Sequence, residues 1–171
     1  MFGRTGSAKR FGGAIMFNCW GYRINTKCKE FFDMELSNGR LRQGWGYELS
    51  QNLLKASAKD DVYGNARNLR MLDVRKGDIL LIPGLPGDDY VTFVRATDDW
   101  QSGYRFEISA QEGDLGCPDF GHIFPAMRIM QALRAELPEV IRSTLRVEQR
   151  FWQANADATR EIGALLDTYL L

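Results

Sequence analysis

The spacing of apolar and polar positions changes period along the chain, and that change predicts its elements. Regular structure is expected to begin near Ala14, where AIMFNCWGYRI mixes apolar, aromatic and polar residues like a strand with a buried face, so that Trp20 and Tyr22 point the same way. TKCKEFFDMELSNG then reads as a helix: Thr26 caps it, Phe31 and Phe32 face the core, and Asn38 or Gly39 takes the left-handed closing position. RLRQGW follows as a second strand. The pattern is weaker across residues 48–76, where ELSQNLLKAS and NARNLRML are expected as short helices, the latter behind an Asp60 or Asp61 cap. KGDILLIPGLP is clearer, a Lys-Gly-Asp turn feeding a β-branched and leucine run that ends at Pro83. DDYVTFVRAT and YRFEIS alternate as strands, joined by the turn-rich DDWQSG with Trp100 at its tip.

From Pro125 onward the period lengthens. FPAMRIMQALRAEL and PEVIRSTLRVEQRFW show helical spacing and are separated at Pro138, a residue suited to a first helical turn. In the last segment Ile162, Leu165, Leu166, Tyr169 and Leu170 fall on one helical stripe that must cover something. A helix folded back on its own barrel, a dimer contact and a docking surface for a further domain all satisfy it. At least five strands interleaved with short helices predict an α+β fold whose mixed sheet curls into a small barrel.

Composition narrows this picture. A chain of 171 residues supports one well-buried core plus an appendage, and 44% hydrophobic with 26% charged residues is ordinary for a globular protein. MFGRTGSAKRFGG reads as a polar, glycine-rich, flexible arm. The formal net charge is zero, so a polyanion has to be held by a local patch, and the cationic excess falls in the first fifty residues. No apolar run approaches the roughly 20 residues of a membrane helix, so no membrane partner is expected. Cys19, Cys28 and Cys117 cannot all pair within one chain, and with His122 alone they assemble no zinc site of known spacing. A reducing, cytoplasmic setting without metal or cofactor is the expectation.

For catalysis the chain offers little. Cys117 and His122 are the right partners for nucleophilic chemistry, but LGCPDFGHIFP supplies no third group, and His122 reads better as a hydrogen-bonding loop anchor. Neighbouring carboxylates at 60 and 61, 88 and 89, and 98 and 99 read as caps and turn formers. GLPGDD lacks the Lys-Ser or Lys-Thr of a phosphate loop. No catalytic residue is assigned, and a hydrolase or nuclease using the Cys117–His122 loop is kept as a rival.

Aromatic residues carry more. Trp45 lies between Gly44 and Gly46, Trp100 precedes Gly103 and Tyr104, and Trp20 sits beside Gly21 and Tyr22. A glycine neighbour lets backbone or ligand come close to a ring, and stacking a nucleobase on such a ring contributes about 1–3 kcal/mol. Each ring alone reads as a core residue; jointly they can line a pocket. Arg40 and Arg42 share a strand face opposite Leu41 and Gln43. With Arg23, Lys27 and Lys29 they either reach phosphates or form a solvated face paired with acids.

GRLRQGWG, KGDILLIPGLP, ATDDW with GYRFEI, and FGHIFPA together resemble the EVE-like and YTH-like branch of the PUA superfamily, especially modules attached to prokaryotic restriction and defence systems. The resemblance implies a small PUA-like mixed β-barrel flanked by short helices over residues 14–126, after an arm at 1–13 and before a helical appendage at 127–171. It implies non-catalytic recognition of a modified base, above all a methylated one, in DNA or RNA. Trp45 would form the first wall, Trp100 or Tyr104 a second, and Trp20 or Tyr22 the rim, with Asn18, Asn25 and Asp119 reading the base edge. The tail resembles linker helices leading to effector domains, so an effector protein or a second copy is the partner implied for residues 127–171. An interaction module acting through those helices is the alternative.

Overall fold

A computed structural model of the chain describes residues 17–44, 46, 48–55, 69–107 and 120–169. The N-terminal arm, Trp45, Cys117, Asp119, Leu170 and the first half of NARNLRML lie outside the described residues. Seven strands are described: β1 (Cys19–Tyr22), β2 (Arg40–Gln43), β3 (Ile79–Pro83), β4 (Tyr90–Ala96), β5 (Arg105–Phe106), β6 (His122–Leu133) and β7 (Phe151–Gln153). Four helices accompany them: α1 (Lys29–Ser37), α2 (Trp100–Gly103), α3 (Glu139–Thr144) and α4 (Ala156–Tyr169). The strands lie in the order β2-β6-β4-β3-β1-β7, with β5 also paired to β6. Only the β1–β3 pairing is parallel among these, so the sheet is mixed, and it curls into a half-barrel within an α+β fold.

The parallel pair is set by the Lys-Gly-Asp turn. Gly77 sits at φ +92°, a conformation side chains disfavour, and so aims the buried Asp78 back at β1. The Asp78 carboxylate accepts from the Asn18 backbone N–H at 2.9 Å, the Trp20 indole N–H at 2.9 Å and the Arg75 backbone N–H at 3.0 Å. One side chain thus closes the turn and pins Cys19 opposite Ile79. Helix α1 ends as its sequence predicts, with Gly39 at φ +76°. Its approach differs: Asn25, not Thr26, is the capping residue, its Oδ1 accepting from the Lys27 N–H at 3.1 Å at the head of a 3-10 turn that runs into α1.

The largest departure is FPAMRIMQALRAEL, which is strand through Leu133 rather than helix. Its short apolar clusters fit either period, and pairing decides. β6 takes β2 along one edge, β5 and then β4 along the other. Between Phe93↔Met130 and Val94↔Arg128 the register shifts, leaving Ile129 as the extra residue of a β-bulge that sharpens the twist. The FW of LRVEQRFW likewise starts β7, beside β1, instead of ending a helix. Among the described residues, ELSQNLLKAS contributes a 3-10 turn at Leu49–Gln51, and NARNLRML a helical Leu69 that leads into a 3-10 turn at Arg70–Asp73.

Both faces of the central strands are covered. Trp20, Tyr22, Leu80, Ile82, Val94 and Phe124 face α1 and α2, while Cys19, Ile79, Leu81, Val91, Phe93 and Met130 face α3 and α4. The C-terminal stripe therefore closes its own sheet: Ile162 and Leu166 are buried, Leu165 packs beside them, and Tyr169 stays exposed. Strand β6 crosses from residue 126 to 127, where the barrel was expected to end and the appendage to start, and β7 returns to β1.

Cys19 is a free thiol within the second core, its pKa pushed up to about 12 by burial. Cys28 is disulfide-bonded, so the cysteines lend no support to the reducing compartment expected from their number. Among the described residues no helix is long and apolar enough to cross a membrane.

Candidate functional site

Strands β2, β5 and β6 bring three side chains into one row on the first core face. Gln43 and Phe106 are the direct cross-strand partners of His122, which places all three on the same side of the sheet. Leu41 and Phe124 form the next pair inward and are fully buried. Polar Gln43 and His122 thus occupy positions that continue an apolar row, and both are themselves buried.

Two glycines hold the neighbouring loop against this row. A Cβ on Gly46 would lie 2.8 Å from Gly121 Cα, and one on Gly121 would collide with the Gly46 carbonyl oxygen. The second glycine of GWG is therefore a backbone-packing residue that clips the segment after β2 to the start of β6. Gly44 and Gly46, on either side of position 45, are both buried.

The polar atoms of the row are unevenly satisfied. Tyr104 Oη lies 2.7 Å from His122 Nδ1 and accepts from the Leu53 backbone N–H at 3.1 Å. Burial holds the Tyr104 phenol well above its ordinary pKa, against the opposing pull of the Leu53 bond, so Tyr104 keeps its proton at neutral pH. Its oxygen already receives the Leu53 donor, and the direction of its bond to His122 Nδ1 is set by the imidazole tautomer. Gln43 Oε1 accepts from the adjacent Gly44 N–H at 3.0 Å, whereas its buried Nε2 has no partner. An unmet buried donor costs about 1–3 kcal/mol, which makes this amide the conspicuous group of the cluster.

Most of the predicted pocket residues that are described sit elsewhere. Trp20, Tyr22, Trp100 and Tyr104 do converge, but on one another and on phenylalanines. Trp20 stacks on Phe151 with centroids 5.0 Å apart, Tyr22 meets Trp100 edge-on at 6.1 Å, and Trp100 stacks on Phe124 at 4.2 Å. Their polar atoms are spent inside the fold as well: Trp20 on Asp78, Tyr22 on the Arg42 carbonyl at 2.6 Å, Trp100 on the Pro125 carbonyl at 3.1 Å. Trp100 is no turn tip; it starts α2 and is wholly buried. Of the four, Tyr104 alone reaches the row at Gln43, through His122. Asn18 and Asn25 lie beyond opposite ends of β1, and their side-chain oxygens receive Gln153 Nε2 and the Lys27 N–H.

The cationic residues expected at phosphates are also largely committed. Glu35, buried in α1, accepts from Arg40 Nη2 at 2.7 Å on one oxygen and from Arg42 Nε at 2.5 Å on the other. Arg42 is itself buried and lies 5.9 Å over the Phe31 ring. Arg23 donates to the Leu145 and Val147 carbonyls and covers the Trp152 ring at 5.5 Å, tying β1 to the loop after α3. Lys29 pairs with Asp88 at 2.9 Å, and Lys27 is exposed. Sequence reasoning missed Glu35 and Gln43. The signal for Gln43 was its place two residues after Leu41, a polar residue on the buried face of a strand.

His122 is a strand residue rather than a loop anchor, bonded to Tyr104 and flanked by Phe106 at 5.2 Å. Among the described residues no three His, Cys, Asp or Glu side chains gather as metal ligands. What fold and cluster define together is an α+β protein with a curled mixed sheet and a buried, partly unsatisfied polar row at one end. No protein-family model matches the chain, and no curated protein sequence does.

Proposed function

We propose that the protein is a non-catalytic reader of a modified nucleobase in DNA or RNA, bound where β2, β5 and β6 meet. The observation that carries this reading is the unpartnered amide of Gln43. A buried N–H without an acceptor is costly to keep, and a heterocycle edge offering a ring nitrogen or carbonyl would satisfy it. Around that donor stand a half-buried ring, Phe106, and the Tyr104–His122 pair, whose bonding fixes the imidazole. Trp45 follows Gln43 by two positions and remains the residue expected to supply a stacking wall. The curled mixed sheet with helices on its faces is in keeping with the PUA-like barrel implied by the sequence. In this reading the protein recognises and an effector acts.

The test separates recognition from stability. Gln43→Met removes the unmet Nε2 donor but also the acceptor of the buried Gly44 N–H, two terms of similar size and opposite sign, so its melting temperature is expected to stay close to that of the parent. Binding to methylated, hydroxymethylated and unmodified oligonucleotides, single- and double-stranded, is measured at one fixed salt concentration. The parent is expected to prefer a modified strand, with the preference lost in Gln43→Met and in Trp45→Ala. Undiminished preference in Gln43→Met, or equal retention of every oligonucleotide by the parent, refutes the reading.

A further inference from the structure

A second, unrelated feature lies at the opposite end of β6. Where that strand gives way to the 3-10 turn at Arg134–Glu136 and α3 begins, a cavity of about 480 Å³ opens between Asp89, Leu133, Arg134, Ala135, Arg142 and Arg146. His122 and Leu133 are the two ends of the twelve-residue β6, about 35 Å apart at roughly 3.3 Å per residue, so the two places do not serve one small ligand.

Three guanidinium groups against one carboxylate give this cavity a cationic lining in a molecule with no net charge. Glu139 pairs with two of them, accepting from Arg142 at 2.7 Å and from Arg146 at 2.8 Å, one carboxylate for two guanidinium groups. It cannot neutralise both. Arg142 Nε is buried with no hydrogen-bond partner, and the Arg134 side chain makes no ion pair among the described residues. The Arg134 backbone is fixed, its N–H donating to the Asp89 carbonyl at 2.7 Å. Guanidinium forks match phosphate oxygens two at a time, which favours a dianionic group over a single carboxylate. The volume is in the range of small-molecule sites, well beyond one free phosphate, and Leu133 and Ala135 add apolar surface for an organic body.

The geometry points to a binding site for a phosphomonoester of about mononucleotide size, its phosphate held by Arg134, Arg142 and Arg146. Titration calorimetry at constant ionic strength tests it with inorganic phosphate, adenosine 5′-monophosphate, a hexose 6-phosphate, adenosine, and an oligonucleotide without a terminal phosphate. Saturable binding is expected for one or both phosphomonoesters, weaker binding for inorganic phosphate and none for adenosine. Arg134→Gln should weaken the ester by about tenfold or more, the loss of one charge-assisted contact, while leaving the melting temperature unchanged. Arg146→Gln, at an exposed side chain, is the second variant and should act in the same direction. The site is refuted if no ester binds saturably, if inorganic phosphate binds as tightly as every ester, if only the oligonucleotide binds, or if Arg134→Gln retains full affinity.

Discussion

Replacing Glu35 with glutamine tests the assignment of Arg40 and Arg42 to the interior of the fold. The substitution keeps shape and removes one charge. Arg42, whose side chain is 6% exposed, would lose its counter-charge and keep neutral contacts alone: an amide oxygen at position 35, the Phe120 carbonyl at 3.4 Å and the face of Phe31. Breaking a buried pair by neutralising one member typically costs about 3–5 kcal/mol, because the surviving charge stays desolvated. The Arg40 pair adds little, about 0–1 kcal/mol, since that guanidinium is 35% exposed and already screened by water. A loss of about 3–5 kcal/mol is therefore expected, equivalent to a fall in melting temperature of roughly 10 °C for a chain of this size. Urea unfolding followed by far-UV circular dichroism measures it, with an unchanged slope confirming that the unfolded chain exposes the same surface. A loss below about 1 kcal/mol would show that the arginines are free to serve a ligand, contrary to this account.

Three further outcomes follow from the same geometry. Gly121→Ala should destabilise the protein by about 1–3 kcal/mol or more, because the new methyl collides with the Gly46 carbonyl; thermal unfolding reads this, and an unchanged midpoint would mean that the loop after β2 is not clipped to β6. Stability should decline as pH rises from 9 toward 12. Burial raises Cys19 from its ordinary 9.0 to about 12 and also raises Tyr22 and Tyr104, so the unfolded chain gives up these protons first and their contribution, complete below pH 9, is lost on the alkaline side. A flat urea midpoint across that window would refute this. Cys19 should also resist alkylation at pH 8 until the protein unfolds, as mass spectrometry of trapped thiols will show.

The structure changes what the tryptophans mean more than what the fold is. Three glycine-flanked aromatics were candidates for display, and Trp20 and Trp100 turn out to be packing residues whose ring faces are filled by Phe151 and Phe124. The glycine beside Trp20 serves the same end: Gly21 lies beneath the Trp152 ring, and any Cβ there would strike it. The sequence sign of close approach was sound, but the approaching group is the protein itself.

What local chemistry specifies was legible in the chain. The α+β class, the Lys-Gly-Asp turn with its strand, the glycine stop of α1 and the buried stripe of α4 each depend on residues a few positions apart, whose dihedral preferences and spacing act without distant partners. The extended course of FPAMRIMQALRAEL could not be read that way, because β2, β4 and β5 impose it through pairings across tens of residues. Nor could the fate of Arg42, Trp100 and Gln43. Charge and aromaticity state what a side chain can bind, and only tertiary contact decides whether Glu35, Phe124 or nothing in the protein is there to be bound.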